Sequence, residues 1–312
     1  GQYITLKTKV NNEEVRRDYS ICSSVGSGDL SIAVKAIENG TFSNFANTKL
    51  AVGDTIEVMP PNGRFIFEPH TEKTRTIAAF AAGSGITPIL SIAKTLLEDE
   101  PFSNFILVFG NKTVEETMFF KQLQELKTQY GNRLHIQYVY SQAREEDALM
   151  GRIEKSTVNL IVKNKYKDVA IESFYLCGPE EMIEIVKTTL LENKIKPNQI
   201  LFELFTASAA TETVATAATG ETTIKILVDD EETEFTMPQS QTILEAALKH
   251  DIDAPYSCQG GICSSCVARI TKGTATMRQN NILTEREVAE GLVLTCQAQP
   301  TSATIFVDYD DI

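Results

Sequence analysis

The sequence predicts a multidomain chain: an antiparallel β-barrel, an α/β domain with a parallel sheet, and a small α+β module that carries a cysteine cluster. Three observations predict it. Short alternating segments between turn residues fill residues 1–72, and buried strands alternate with amphipathic helices over 73–205. Three of the six cysteines then crowd into residues 258–266.

A length of 312 residues agrees with two domains or three smaller ones. The 42 acidic and 29 basic side chains give a net charge of −13, which disfavours nucleic acid and anionic lipid as partners. Residues 221–312 hold 15 acidic against 6 basic side chains, so most of the excess sits in the last third. The longest uncharged stretch, 18 residues between Arg75 and Lys94, is interrupted by Gly83-Ser84-Gly85 and Thr87-Pro88. It reads as strand, turn and helix rather than as a membrane span. No charged-then-apolar leader opens the chain, and a soluble, cytoplasmic protein is expected.

In the first segment, Gln2–Leu6 and Ser31–Ile37 alternate like half-buried strands, and Val52-Gly53-Asp54 turns into Thr55–Val58. Pro60-Pro61-Asn62-Gly63 ends that run. From Thr76 to Ala82 a buried strand is expected, then a glycine turn and a helix with Pro88 at its first position. Phe105–Phe109, Leu134–Tyr140, Phe174–Cys177 and Leu201–Phe205 read as further strands, with helices near 115–129 and 179–192. Such alternation implies a parallel sheet covered on both faces. Residues 206–221 are low in complexity and rich in Ala and Thr, which marks a linker ahead of the acidic module at 222–312.

Cys258-x4-Cys263-x2-Cys266, followed after 29 residues by Cys296, is the spacing of a plant-type [2Fe-2S] site. Two sulfide-bridged ferric ions are soft centres that four thiolates satisfy. Gln259, Gly260, Gly261, Ser264 and Ser265 let backbone N–H groups approach the sulfurs. Structural zinc, which favours two short C-x2-C pairs, fits poorly but stays open as the reading of a non-enzymatic scaffold. Cys22 and Cys177 lie outside the set and read as small buried hydrophobes.

With these motifs in place, residues 222–312 resemble a plant-type ferredoxin, and residues 1–205 resemble the ferredoxin–NADP reductase superfamily. The order, reductase first and ferredoxin last, is similar to that of oxygenase reductases of the phenylacetyl-CoA epoxidase type. The resemblance implies a flavin-binding barrel, a nucleotide domain and a β-grasp ferredoxin domain. It also implies barrel strands upstream of Gly1-Gln2-Tyr3, so an open barrel edge is expected.

By the same resemblance Arg17 pairs with the flavin diphosphate, Tyr19 stacks on the ring and Ser20 bonds its edge. A guanidinium suits phosphate and an aromatic plane suits a flavin. Gly40-Thr41-Phe42-Ser43-Asn44 matches the family's diphosphate-binding turn, with Val34 and Lys35 on the strand before it. FAD is expected over FMN. Gly83, Ser84, Gly85, Thr87 and Pro88 form the nucleotide turn at a helix N-terminus, where free N–H groups stabilise pyrophosphate. Cys177, Gly178 and Pro179 match the position that holds nicotinamide, with Cys177 a packing residue and not a nucleophile. Asn111, Lys112, Ser141 and Arg144 follow two strands at the sheet's carboxyl edge, where a 2′-phosphate would be read. NADPH is expected over NADH, although relatives often have arginine at the position of Lys112. Glu203 and Phe205 close the reductase part, with Phe205 against the flavin's second face.

The resemblance therefore implies an enzyme that takes hydride from NADPH onto FAD. Single electrons then go to the [2Fe-2S] cluster and on to a separate oxygenase, which docks on the acidic module. A reductase for a Rieske or steroid hydroxylase is the alternative within enzymes.

Overall fold

The computed structural model describes residues 1–205 and 220–312. Residues 206–219, most of the expected linker, lie outside the described residues. The chain forms two compact units. Among the described residues, one comprises Gly1–Ile4, Tyr19–Thr55 and Arg64–Phe205; the other comprises Thr5–Asp18, Ile56–Gly63 and 220–312.

The strands and helices follow in chain order. β1 (Tyr3–Val10), β2 (Glu13–Ser20) and β3 (Glu57–Val58) form a sheet of order β2-β1-β3, and α1 (Thr41–Thr48) lies between β2 and β3 in sequence. Asn11 and Asn12 both take positive φ, 54° and 68°, the backbone of a tight two-residue hairpin turn that asparagine tolerates. Ser31–Ile37 is not the strand its alternation predicts. Ile32 makes a single bridge to Ile21, while Ser31 and Lys35 to Ile37 are exposed. Alternation alone does not make a strand where no second ladder partner lies alongside. Val34 and Lys35 thus stand on irregular chain, anchored where Asn47 Nδ2 donates to Val34 O at 3.1 Å.

The nucleotide domain runs β4 (Thr76–Ala82), α2 (Ile86–Asp99), β5 (Asn104–Asn111), α3 (Phe120–Tyr130), β6 (Leu134–Tyr140), β7 (Ala148–Met150), α4 (Lys155–Asn159), β8 (Ile171–Gly178), α5 (Glu180–Glu192) and β9 (Ile200–Leu204). All six strands are parallel, in the order β7-β6-β5-β4-β8-β9. β4 shows why both faces are covered. Ile77, Ala79 and Ala81 pack with α2 and α3, while Ala78 and Phe80 pack with Val158 of α4 and Ile183, Val186 and Leu190 of α5.

Two helix starts differ from the sequence expectation. Pro88 is the third residue of α2, behind a 3-10 turn at Gly83–Gly85, and still falls in the first turn, where its missing N–H has no partner to lose. Helix α3 begins at Phe120 rather than near 115. Thr117 Oγ1 donates to Thr113 O at 2.8 Å and Phe119 takes φ 59°, so local bonds hold residues 113–119 in turns.

At the N-terminal end of this sheet Glu100 is fully buried and heavily bonded. It accepts from Arg75 Nη2 at 2.6 Å, Arg75 Nε at 3.1 Å, Ser103 Oγ at 2.6 Å and His70 N at 2.9 Å. Burial pushes its carboxyl upward, but these donors outweigh it and hold the group below its ordinary value.

The last module contains β10 (Glu221–Val228), β11 (Glu231–Pro238), α6 (Ile243–Lys249), β12 (Val267–Lys272), β13 (Ala275–Met277), α7 (Glu285–Ala289), β14 (Leu292–Leu294), β15 (Ala298–Pro300) and β16 (Thr304–Asp308). A mixed five-stranded sheet, β11-β10-β16-β12-β14, grips α6 through Ile243, Leu244, Ala246 and Ala247, the β-grasp arrangement. Thr242 Oγ1 accepts from Glu245 N at 3.3 Å and Glu245 returns the bond to Thr242 N, which fixes where α6 starts. Asp229 and Asp230, both at positive φ, turn β10 into β11 and donate their N–H groups to Asp310. No helix among the described residues is long and apolar enough to cross a membrane.

Candidate functional site

The chain leaves β4 towards β5 on one side, while β8 lies on the other, so the strand order switches between β4 and β8. Open α/β sheets bind ligands at that point, outside the carboxyl ends of the strands. Here Gly83–Gly85 follows β4 and Cys177-Gly178-Pro179 ends β8, and the two touch. A Cβ on Gly85 would overlap the Cys177 carbonyl and stand 2.8 Å from Gly178 N; one on Gly178 would stand 3.1 Å from Ala82 N. Gly83 takes φ 53° with open space where a side chain would be, and no side chain caps α2. The cradle fits a diphosphate approaching backbone N–H groups. Thr87 is buried and donates from Oγ1 to Ser84 O at 3.0 Å, bracing the turn, with Pro88 behind it.

Cys177 is fully buried, and burial together with nearby Glu203 pushes its thiol well above the ordinary range. That suits packing and not nucleophilic attack. Across the parallel ladder Cys177 stands opposite Glu203, and Gly178 opposite Leu204. Ser20, buried at the end of β2, donates from Oγ to Glu203 Oε2 at 3.3 Å. Ser20, Glu203, Cys177 and Gly85 therefore converge at the switch point.

Tyr19 is half-buried with its ring 5.4 Å from that of Phe42. Phe42 and Ser43 are buried in the first turn of α1, where Ser43 Oγ accepts from Ile37 N and Asn44 Nδ2 donates to Ile37 O. Arg17 is exposed and donates from Nη1 to Arg16 O at 2.7 Å. Phe205, just past β9, is 38% exposed. At the other side of the edge, Ser141 N donates to Asn111 O and Gln142 N to Lys112 O, which brings these two segments side by side. Arg144 is exposed, and Lys112 pairs with Glu116 at 3.8 Å.

In the second unit, Cys258 is half-buried and Cys263, Cys266 and Cys296 are buried. Among the described residues no three His, Cys, Asp or Glu side chains close on one another as a site for a single metal ion; the thiols form two adjacent pairs. Cys263 donates to Cys258, and the N–H groups of Gly260, Ile262 and Cys263 also face that sulfur, so its thiol falls to about 6. Cys266 donates to Cys296, which Gln297 and the Gly261 N–H also serve, and Cys296 is lowered in turn. Gln297 Nε2 lies 3.6 Å from Cys296 Sγ. Four thiols fed by backbone donors fit a [2Fe-2S] cluster, whose ligands must be thiolates.

Three family models match in the same order. An oxidoreductase FAD-binding domain matches residues 1–67, an oxidoreductase NAD-binding domain 80–188, and a 2Fe-2S iron-sulfur cluster binding domain 226–301. One component of the 1,2-phenylacetyl-CoA epoxidase of Escherichia coli K12 is 36% identical over 99% of this chain and 88% of its own length. This chain belongs to the oxygenase reductase family. It is an NAD(P)H-dependent oxidoreductase with FAD-, NAD- and [2Fe-2S]-binding domains, and the zinc-scaffold reading is set aside. The ferredoxin reductase component of 3-ketosteroid-9-alpha-monooxygenase from Mycobacterium tuberculosis is 29% identical, over 100% of this chain and 85% of that one. Among solved structures, phthalate dioxygenase reductase, described as modular for electron transfer from pyridine nucleotides to [2Fe-2S], aligns with TM-score 0.59 at 25% identity. That alignment covers 99% of this chain and 87% of the other. A self-sufficient cytochrome P450 monooxygenase shares the fold, with TM-score 0.71 at 20% identity over 98% of this chain and 36% of its own.

Sequence reasoning overlooked Arg16 and Asp18. Alternation along β2 puts them on the face opposite Arg17 and Tyr19, and Arg16 is buried while Arg17 is exposed. Asp18 accepts from Thr5 Oγ1 at 2.6 Å, and burial pushes its carboxyl above the usual range despite bonds from Thr5, Ser257 and Cys263. A charged residue at an inward position of the strand was the available signal.

Proposed function

We propose that this reductase draws hydride from NADPH in preference to NADH, uses FAD rather than FMN, and delivers electrons through its [2Fe-2S] module to an oxygenase of the phenylacetyl-CoA epoxidase type. The observation that carries the reading is the convergence of Ser20 and Glu203 with Cys177 behind the Gly83–Gly85 turn. The end of β8 and β9 thereby joins a residue of the flavin motif to residues of the nucleotide motif.

Flavin and cluster supply the conversion of a two-electron donor into single electrons. The chain's own residues position and screen. Arg17 and the opening turn of α1, Gly40–Asn44, would hold the flavin diphosphate, and Tyr19 would cover the ring. Ser20, held by Glu203, would present its hydroxyl at the ring's edge. The turn from Gly83 to Thr87 would take the nucleotide diphosphate, and Cys177 and Gly178 would leave room for the nicotinamide. Arg144 with Lys112 supports the choice of NADPH, since a guanidinium grips a 2′-phosphate. Hydride transfer needs no base here.

The choice of oxygenase rests on likeness: identity to the epoxidase component is 36% over 99% of this chain, against 29% to the steroid component over 100%. The acidic module, 15 acids against 6 bases over 221–312, would meet a basic face on that partner. Some of these acids serve the fold, as Asp310 does for the Asp229-Asp230 turn. Reconstitution with the oxygenase of a phenylacetyl-CoA epoxidase tests the reading. NADPH should drive substrate oxidation, and delivery to the oxygenase should slow as salt rises. Coupling to a 3-ketosteroid oxygenase instead, or insensitivity to salt, would contradict it.

A further inference from the structure

Arg16 occupies an unusual place for an arginine. Its side chain is 6% exposed, with Nη2 2.6 Å from Asp253 Oδ1 and Nε 2.8 Å from Glu14 Oε1. Its guanidinium carbon lies 4.4 Å above the Tyr256 ring centroid. Lys7 of β1 reaches the same Asp253 at 3.7 Å and Glu57 at 3.2 Å. Asp253 and Tyr256 lie on the segment that enters the cysteine loop at Cys258. A second anchor holds the middle of that loop, where Ser264 Oγ donates to Asn62 Oδ1 at 3.1 Å. Asn62 is itself fixed by accepting from Gly63 N at 2.6 Å. The loop bearing three of the four thiols is thus seated at two points on the sheet segment that includes Thr5–Asp18 and Ile56–Gly63, all within one compact unit.

Burying a guanidinium is costly unless its partners are well placed, and breaking such a pair leaves a stranded charge. Neither Arg16 nor Asp253 supplies a sulfur or lies next to one in sequence, so holding the cluster does not require them. Arg16 does stand three residues ahead of Tyr19 on the same strand.

We infer that Arg16 is a positioning residue for internal electron transfer: with Asp253 and Tyr256 it seats the cluster loop on the strand that continues into Tyr19 and Ser20. The inference rests on the proposed function. With both groups bound, the step it governs would pass one electron from the flavin to the cluster, the first oxidised and the second reduced by one electron. Arg16 itself neither gains nor loses an electron or a proton.

The test uses the full-length holoprotein and three variants, R16E, D253N and the charge swap R16E/D253R. Hydrogen exchange read by mass spectrometry reports the seating directly. In R16E, residues 5–18 and 250–264 should lose protection together, while cluster and flavin spectra stay as in the parent. Flavin-to-cluster transfer should slow about tenfold or more as the seated arrangement becomes a minor one. Reduction of the flavin by NADPH should hold its rate. D253N should move the same way by less, and the swap should recover both exchange protection and rate. Should R16E fail to fold, D253N carries the test, because the Asp253 side chain is 71% exposed. Unchanged exchange and an unchanged transfer rate in D253N and R16E would overturn the inference. A parent protein whose cluster NADPH cannot reduce would overturn the proposed function instead, with exchange still judging the seating separately.

Discussion

Ser20 and Glu203 are 183 residues apart in sequence and share a hydrogen bond of 3.3 Å, with Glu203 facing Cys177 across the ladder. The pair joins the last residue of β2 to β9. Its first consequence is kinetic. Ser20→Ala removes the hydroxyl that Glu203 holds in place, so flavin reduction by NADPH should slow about tenfold or more while nucleotide affinity stays the same. Single-turnover measurement over a range of NADPH concentrations separates the two, and a loss confined to affinity would contradict the assignment.

Gly85→Ala should be far more damaging than its size suggests. The added methyl would overlap the Cys177 carbonyl and press on Gly178 N at 2.8 Å, both backbone groups that cannot swing away. The turn must open, at a cost of about 1–3 kcal/mol, and the nucleotide cradle opens with it. Thermal melting and NADPH binding to the purified variant should both deteriorate. Normal binding would show that the close approach of β4 and β8 is dispensable.

Acid stability should trace to Glu100. Against the upward push of burial, Arg75, Ser103 and the His70 N–H hold its carboxyl below the ordinary 4.5. A depressed folded value means stability fully present above the unfolded value and lost as pH falls through the folded one. Glu100→Gln should therefore cost about 3 kcal/mol at neutral pH, since among the described residues Arg75 then keeps only Glu172 as an ion-pair partner. The variant should also show a flatter stability profile below pH 4.5 than the parent. Denaturant melts at pH 7 and pH 4 check both signs; parallel profiles would contradict the account.

On the proposed reading, nucleotide choice falls to Arg144. Arg144→Ala should raise the KM for NADPH roughly tenfold and leave that for NADH nearly unchanged, because only NADPH carries a phosphate for the guanidinium. Equal effects on the two would sink the assignment.

Much of this architecture was legible from residue order. Thr76–Ala82 is an uninterrupted uncharged run, and it forms β4 with those limits, buried from Thr76 to Ala81. The cysteine spacing pointed to four thiols, and they do pair within one unit. Ser31–Ile37 misled because alternation reports a half-buried face but not whether a neighbouring strand exists to bond it. The start of α3 was misplaced because threonine side chains bond their own backbone over 113–117, a competition that hydrophobic period does not register. Arg16 and Asp253 were invisible for another reason. They lie 237 positions apart, and no local pattern links an arginine on a strand to an aspartate ahead of a cysteine loop.

On the proposed function, electrons run from NADPH through a flavin to an iron–sulfur cluster held by four thiolates, and rapid anaerobic mixing with NADPH reads that path. In the parent protein the flavin band should bleach first, followed by loss of cluster colour and the appearance of the low-temperature EPR signal of a reduced [2Fe-2S] centre. Cys263→Ser should show the first phase without the second, with flavin content retained. A colourless protein, or a cluster that stays oxidised while the flavin is fully reduced, would contradict it.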